Sequence, residues 1–290
     1  MQRGPVLHIL RSSQSCAEYG IILVTMKTTR ILLSAFLVAM FAGCRTVPMT
    51  SRSQLMLSTA SSENELGATA YAEYKEQTKP VSNADQQALL NRVGSAIKDA
   101  SGVTDFEWEF NVLESDTVNA FCLPGGKVAV YTGMMPYFAN EAELACVVAH
   151  EVGHAIARHG GERTSWSYIQ AIGTLGVSKW GNDTAQTIYG IGAEYGVMLP
   201  YSRLHENEAD LIGLYLMAKA GYDPQAAVDF WKKFDTGNSS KLDELLSTHP
   251  CDATRVANLT EHLPEAQELY DQCAVKRGLG VRLSNGLPLK

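Results

Sequence analysis

No segment of these 290 residues is both long enough and apolar enough to cross a bilayer. Ile31 to Ala42 is an apolar stretch of twelve residues, against the roughly 20 that a spanning helix needs. Residues 166 to 199 are rich in Gly, Ala and small polar residues, but Lys179, Asp183 and Glu194 interrupt them. Basic charge is scarce as well. Beyond residue 43 the chain keeps 20 Lys and Arg against 30 Asp and Glu, a balance that repels phosphate and excludes nucleic acid as a partner. Internal repeats are missing, so no solenoid or helical-repeat array is expected.

The start of the chain is organised for processing. Lys27 and Arg30, the short apolar stretch and then small residues form a secretory signal peptide. It closes on Phe41-Ala42-Gly43-Cys44, which resembles a bacterial lipobox and implies diacylglycerol transfer to Cys44 and cleavage before it. Met26 directly precedes the basic region and is the expected true start. The expected organisation is therefore residues 1–43 as upstream extension and signal peptide, 44–53 as a polar tether, and 54–290 as a single domain. The location implied is the bacterial cell envelope, periplasmic side, lipid-anchored. Arg45 after the acylated cysteine favours the outer membrane. Cys122, Cys146, Cys251 and Cys273 then remain in an oxidising compartment and allow three pairings. A Cys251–Cys273 bridge would tie the C-terminal tail to a functional loop.

Residues 62–79 and 82–100 carry helical spacing. Phe106 to Val112, Val118 to Leu123 and Lys127 to Thr132 are short β-rich runs, with a turn at Pro124-Gly125-Gly126 between the last two. A helix then opens at Asn140, with Glu143 three residues on as in a capping box. Leu144, Val147, Val148, Val152 and Ile156 supply its apolar stripe, and Gly160-Gly161 is expected to stop it. A further helix runs from about Arg203 to Ala220, Asp223-Pro224 starts the next, and 253–271 suggests the last.

His150-Glu151-Val152-Gly153-His154 lies on the capped helix. Positions four apart share a helix face about 6 Å apart along the axis, so two imidazoles can grip one ion while Glu151 reaches a water. That pairing is the chemistry of metal-assisted peptide hydrolysis. A catalytic zinc needs a third protein ligand. A histidine six residues after His154 would fall on Gly160, and a glutamate nineteen residues after it on Gly173, so both spacings fail. The next candidate is Glu206-Asn207-Glu208-Ala209-Asp210. Glu206 and Asp210 share a face, and Glu208 points about 200° away. Glu208 and His205 stand as rival ligands.

HEVGH followed by ENEAD resembles the CAAX prenyl protease-type (HtpX-like) family of zinc metallopeptidases, and its bacterial periplasmic lipoprotein members in particular. The resemblance implies an α+β, predominantly helical zincin domain of gluzincin type holding one catalytic Zn2+. Its small antiparallel sheet would border the active-site cleft with an edge strand. Carried onto this sequence, His150, His154 and Glu206 are the ligands, Glu151 the general base and then acid, and Asp210 the residue that orients a ligating histidine. The segment Asn119 to Gly126 with Lys127 to Gly133 is similar to the family's segment beside the cleft. It implies that Val128, Ala129, Val130 and Tyr131 form the edge that pairs with an extended peptide. Ser247-Thr248-His249-Pro250 with Arg255 resembles a further motif and brings His249 to the metal, either to stabilise an oxyanion or to fill the fourth position and hold the enzyme latent. His159, off the ligand face, reads as a surface residue or one behind the ligands. The implied activity is that of a metalloendopeptidase cleaving unfolded or misassembled envelope proteins. The rival is a chaperone-like assembly factor that binds them in the same cleft with little turnover.

Overall fold

The computed structural model describes residues 43–180, 199–234, 249 and 253–288. Thr46–Lys290 forms one compact unit, distinct from Met1–Arg45. Two N-terminal helices, α1 (Ala60–Gln77) and α2 (Ala84–Ser101), precede a three-stranded sheet. Asn83 caps α2 by accepting from the Asp85 and Gln86 amides, and Gly102 ends it at φ 65°. The strands are β1 (Glu109–Leu113), β2 (Ala120–Leu123) and β3 (Lys127–Tyr131), in the spatial order β1-β3-β2. Gly125 and Gly126, both at φ 81°, turn the chain between β2 and β3, a backbone region that side chains disfavour.

Two expectations about this sheet fail. It is mixed rather than antiparallel, because β1 runs parallel to β3 while β2 runs antiparallel to it. And β3 is the central strand. Its main chain is paired on both sides, and Val128, Ala129 and Val130 have no exposed surface at all. Val128, Ala129, Val130 and Tyr131 therefore offer no free edge to a peptide. The edge next to the metal helix is β2.

That helix, α3 (Glu141–Ile156), opens as the sequence predicts. The Asn140 side chain accepts from the Glu143 amide at 2.9 Å, and the Glu143 carboxylate accepts from the Ala139 amide at 2.9 Å. Every residue of α3 except His154 is buried, as befits a helix packed on several sides at once. It does not stop at the glycines. The chain breaks at Arg158, which takes φ 57° and sets its guanidinium on the Glu63 carboxylate and the Ser58 carbonyl. Gly160 and Gly161 lie inside the next helix, α4 (His159–Trp180). Then come α5 (Leu199–Lys219), α6 (Gln225–Phe234), α7 (Ala253–Gln272) and a short hairpin of β4 (Leu283–Ser284) with β5 (Leu287–Pro288). No helix among the described residues is long and apolar enough to cross a membrane.

The crossing of α3 and α5 builds the site. A Cβ added to Gly153 would meet the Ala209 carbonyl at 2.9 Å, and one added to Gly213 would meet the His150 amide nitrogen at 2.9 Å. The two backbones therefore touch without side chains between them. This contact sets ENEAD against HEVGH.

Residues 46–53 are no free tether. Val47 is 1% exposed in the core, and Arg52 reaches two buried carboxylates in the body of the protein. Of the cysteines, Cys122, Cys146 and Cys273 are free thiols, and Cys251 lies outside the described residues.

Candidate metal centre

Four side chains converge on one point: His150 and His154 from α3, Glu206 from α5, and His249 from beyond both. His150 Nε2 lies 3.1 Å from His154 Nε2, 3.3 Å from His249 Nδ1 and 3.3 Å from Glu206 Oε2. His154 Nε2 is 3.3 Å from Glu206 Oε1, and His249 Nδ1 is 3.1 Å from Glu206 Oε2. A tetrahedral zinc with bonds of about 2.0–2.1 Å spaces its donors by about 3.3 Å. The donor set and its dimensions fit that ion.

The ring orientations fit it too. His150 Nδ1 faces Asp210 Oδ1 at 2.9 Å, which turns its Nε2 towards the other donors. His154 Nδ1 is engaged by His159 at 2.7 Å, which turns the His154 Nε2 inward.

Asp210 is itself held by Arg255, whose Nε and Nη2 reach its two oxygens at 2.7 and 2.6 Å. Arg255 is 2% exposed, lies over the Trp231 ring at 3.9 Å and comes within 3.3 Å of Glu206. Burial opposes the ionised form of Asp210, yet Arg255 holds its carboxyl below the usual range. Burial likewise opposes the charge of Glu206, and contacts with His150, His154 and His249 keep that carboxyl ionised. His154 is driven well below its ordinary value by burial. For His150, burial works against the charged ring, but Asp210 and Glu206 outweigh it and the group rises to about 9. Glu151 is pushed up by burial, with His249 and His150 pulling the other way. Its Oε1 lies 3.3 Å from His249 Nε2, beside the fourth corner of the cluster.

The residues that the sequence offered as ligands are thus sorted. Glu206 stands in the cluster. Its rivals do not: Glu208 turns to His159 at 2.9 Å, and His205 turns to Glu162 at 2.9 Å. Asp210 lies behind His150. His159 is fully buried, directly behind His154. Val128 to Tyr131 stand away from the cluster, in the centre of the sheet. Cys44 is exposed.

Comparison with known proteins agrees with this chemistry. The pattern of Peptidase family M48 matches residues 84–263. The chain is 35% identical over 234 residues to the mitochondrial metalloendopeptidase OMA1 of Schizosaccharomyces pombe, covering 78% of this chain and 68% of that one. It is 31% identical over 266 residues to the OMA1 of Saccharomyces cerevisiae, covering 82% and 76%. It is 29% identical over 181 residues to the beta-barrel assembly-enhancing protease of Escherichia coli, covering 58% and 37%. The CAAX prenyl protease-type resemblance widens here to the family as a whole. The expected location on the periplasmic side of a bacterial outer membrane is overturned, because the two relatives above that this chain covers to two thirds or more are mitochondrial proteins. Acylation of Cys44 was part of that expectation and is set aside with it.

Proposed function

The chain belongs to peptidase family M48 and is a zinc-dependent metalloendopeptidase, and from that premise we propose that it cuts unfolded or misassembled proteins internally, as a quality-control protease. One observation carries the site assignment: four protein donors stand at the spacing of a tetrahedral ion, with a buried carboxylate beside one corner. When bound, zinc polarises the scissile carbonyl and acidifies water. His150, His154 and Glu206 hold the ion. The Glu151 carboxylate removes a proton from the attacking water and passes it to the leaving amine; its raised proton affinity suits the second task. Asp210 and Arg255 keep His150 aimed. His249 occupies the corner that water and substrate need, so the arrangement is the latent one, and His249 must swing out before turnover.

An extended substrate has an edge to pair with in β2. The Asn119 carbonyl accepts from the Tyr131 amide at 3.1 Å, so residues 119, 121 and 123 point their main-chain groups at β3. Ala120 and Cys122 then point theirs outward. Cys122 lies near enough to Glu151 for that carboxylate, after burial, to push its thiol up. Pairing of this kind reads backbone rather than side chains, which suits substrates of no fixed sequence. Cys122→Pro removes one outward N–H and leaves the inner ladder whole. Turnover of an unfolded protein should fall about 3- to 10-fold, the worth of one net hydrogen bond, with zinc content unchanged and Cys122→Ala as control. Equal turnover in all three proteins takes β2 out of substrate binding.

The function itself is tested by digesting a permanently unfolded protein. Internal fragments should appear, vanish on chelation and return with added zinc. Single residues released from an end instead would mean a trimming peptidase, and binding without any fragments would favour the chaperone-like rival.

A further inference from the structure

Behind the metal cluster lies a second set of buried charges that the hydrolytic chemistry does not use. His159, wholly buried, stands between His154 and Glu208, with 2.7 Å from its Nδ1 to His154 Nδ1 and 2.9 Å from its Nε2 to Glu208 Oε2. Glu208 in turn accepts from Arg52 Nε at 2.8 Å and from the Thr50 hydroxyl. The two terminal nitrogens of Arg52 grip Glu162 at 3.0 and 2.7 Å. Glu162 engages His205 at 2.9 Å, and the His205 ring stacks on His159 with centroids 4.1 Å apart and planes 15° apart. His159 is thus fixed at both ring nitrogens and on one face.

We propose that Glu208 and His159 are positioning residues for the metal ligand His154, and that Thr50 and Arg52 of the N-terminal segment complete the relay. The proton order has one consistent solution. An ionised carboxylate only accepts, so the proton between Glu208 and His159 sits on His159 Nε2. A neutral His159 ring then has its lone pair on Nδ1, which accepts from His154 Nδ1–H. That leaves the His154 Nε2 lone pair directed at the metal corner. The arrangement parallels Asp210 behind His150, but with an imidazole inserted between carboxylate and ligand. It also makes residues 50–52 part of the metal site.

The inference rests on His154 being a zinc ligand, and the experiment separates the two ideas. Zinc affinity of the purified full chain is measured by competition with a chromophoric chelator, and thermal melting of the chelator-stripped proteins reports their folding. His159→Leu should weaken zinc about 10- to 100-fold, the usual cost of losing a partner behind a ligand. His159→Gln keeps an acceptor and a donor in place of the two ring nitrogens, and should hold zinc within a few-fold of wild type. Arg52→Met should shift affinity in the same direction as His159→Leu, by less. A packing role predicts the reverse order, with apolar Leu the better replacement for a buried ring. If His159→Leu binds zinc as tightly as wild type, or His159→Gln is as weak as His159→Leu, the relay is wrong. Should His159→Leu fail to melt cooperatively, Glu208→Met takes its place with the same expected loss. A His154→Ala protein that keeps its full zinc content would instead sink the ligand assignment beneath the proposal.

Discussion

Glu151→Gln should keep one zinc per chain and lose about 10²- to 10⁴-fold in turnover of an unfolded substrate, the range that a positioned acid–base group contributes. The argument is geometric. Glu151 is 4% exposed, does not belong to the converging donors, and sets its carboxylate 3.3 Å from the ring that fills the fourth corner. An amide of the same shape packs in its place and hydrogen-bonds similarly, but it can neither take nor give a proton at working pH. Metal analysis together with a gel assay of substrate loss measures both halves. Loss of zinc alongside turnover would mean that Glu151 helps to hold the ion. Retained turnover would remove it from the chemistry.

His249→Ala should work the other way. His249 Nδ1 lies 3.1 Å from Glu206 Oε2 and 3.3 Å from His150 Nε2, at the spacing of a ligand. A catalytic zinc keeps one position open, and in the proposed latent arrangement His249 fills it. If the competent, open arrangement is held by about 1–10% of molecules, removing the ring raises turnover about 10- to 100-fold, since apparent competence scales with that fraction. His150, His154 and Glu206 remain, so zinc stays bound. A fall in turnover would identify His249 as an oxyanion donor in place of a latch. Initial rates on one substrate at several concentrations decide between the two.

The parts of this site that could be read from sequence are those fixed by local geometry. The Asn140 cap, the apolar stripe and the His150–His154 pair are all set within a few turns of one helix. Glu206 and Asp210 are likewise legible as one face of another helix, and the structure brings that face to the imidazoles. What could not be read is pairing across the chain. Arg52 meets Glu208 and Glu162 over separations of 156 and 110 residues, and no periodicity encodes that. For His159 the sequence leaves open a surface place or one behind the ligands, and the break at Arg158 decides between them by bringing its ring behind His154. The sheet order did leave a signal. Val128-Ala129-Val130-Tyr131 is an unbroken apolar run without alternation, the pattern of a strand covered on both faces, and so points to a central strand rather than an edge.

The meeting of Gly153 and Gly213 has a consequence for control. Helices that touch main chain to main chain cannot slide or tilt without collision, so the three corners they supply behave as one rigid jig. On the latch reading proposed for His249, a signal that switches the protease on has a single mechanical target, the corner supplied from outside those two helices. Activation would then be a matter of withdrawing one imidazole, with no need to rebuild the pocket.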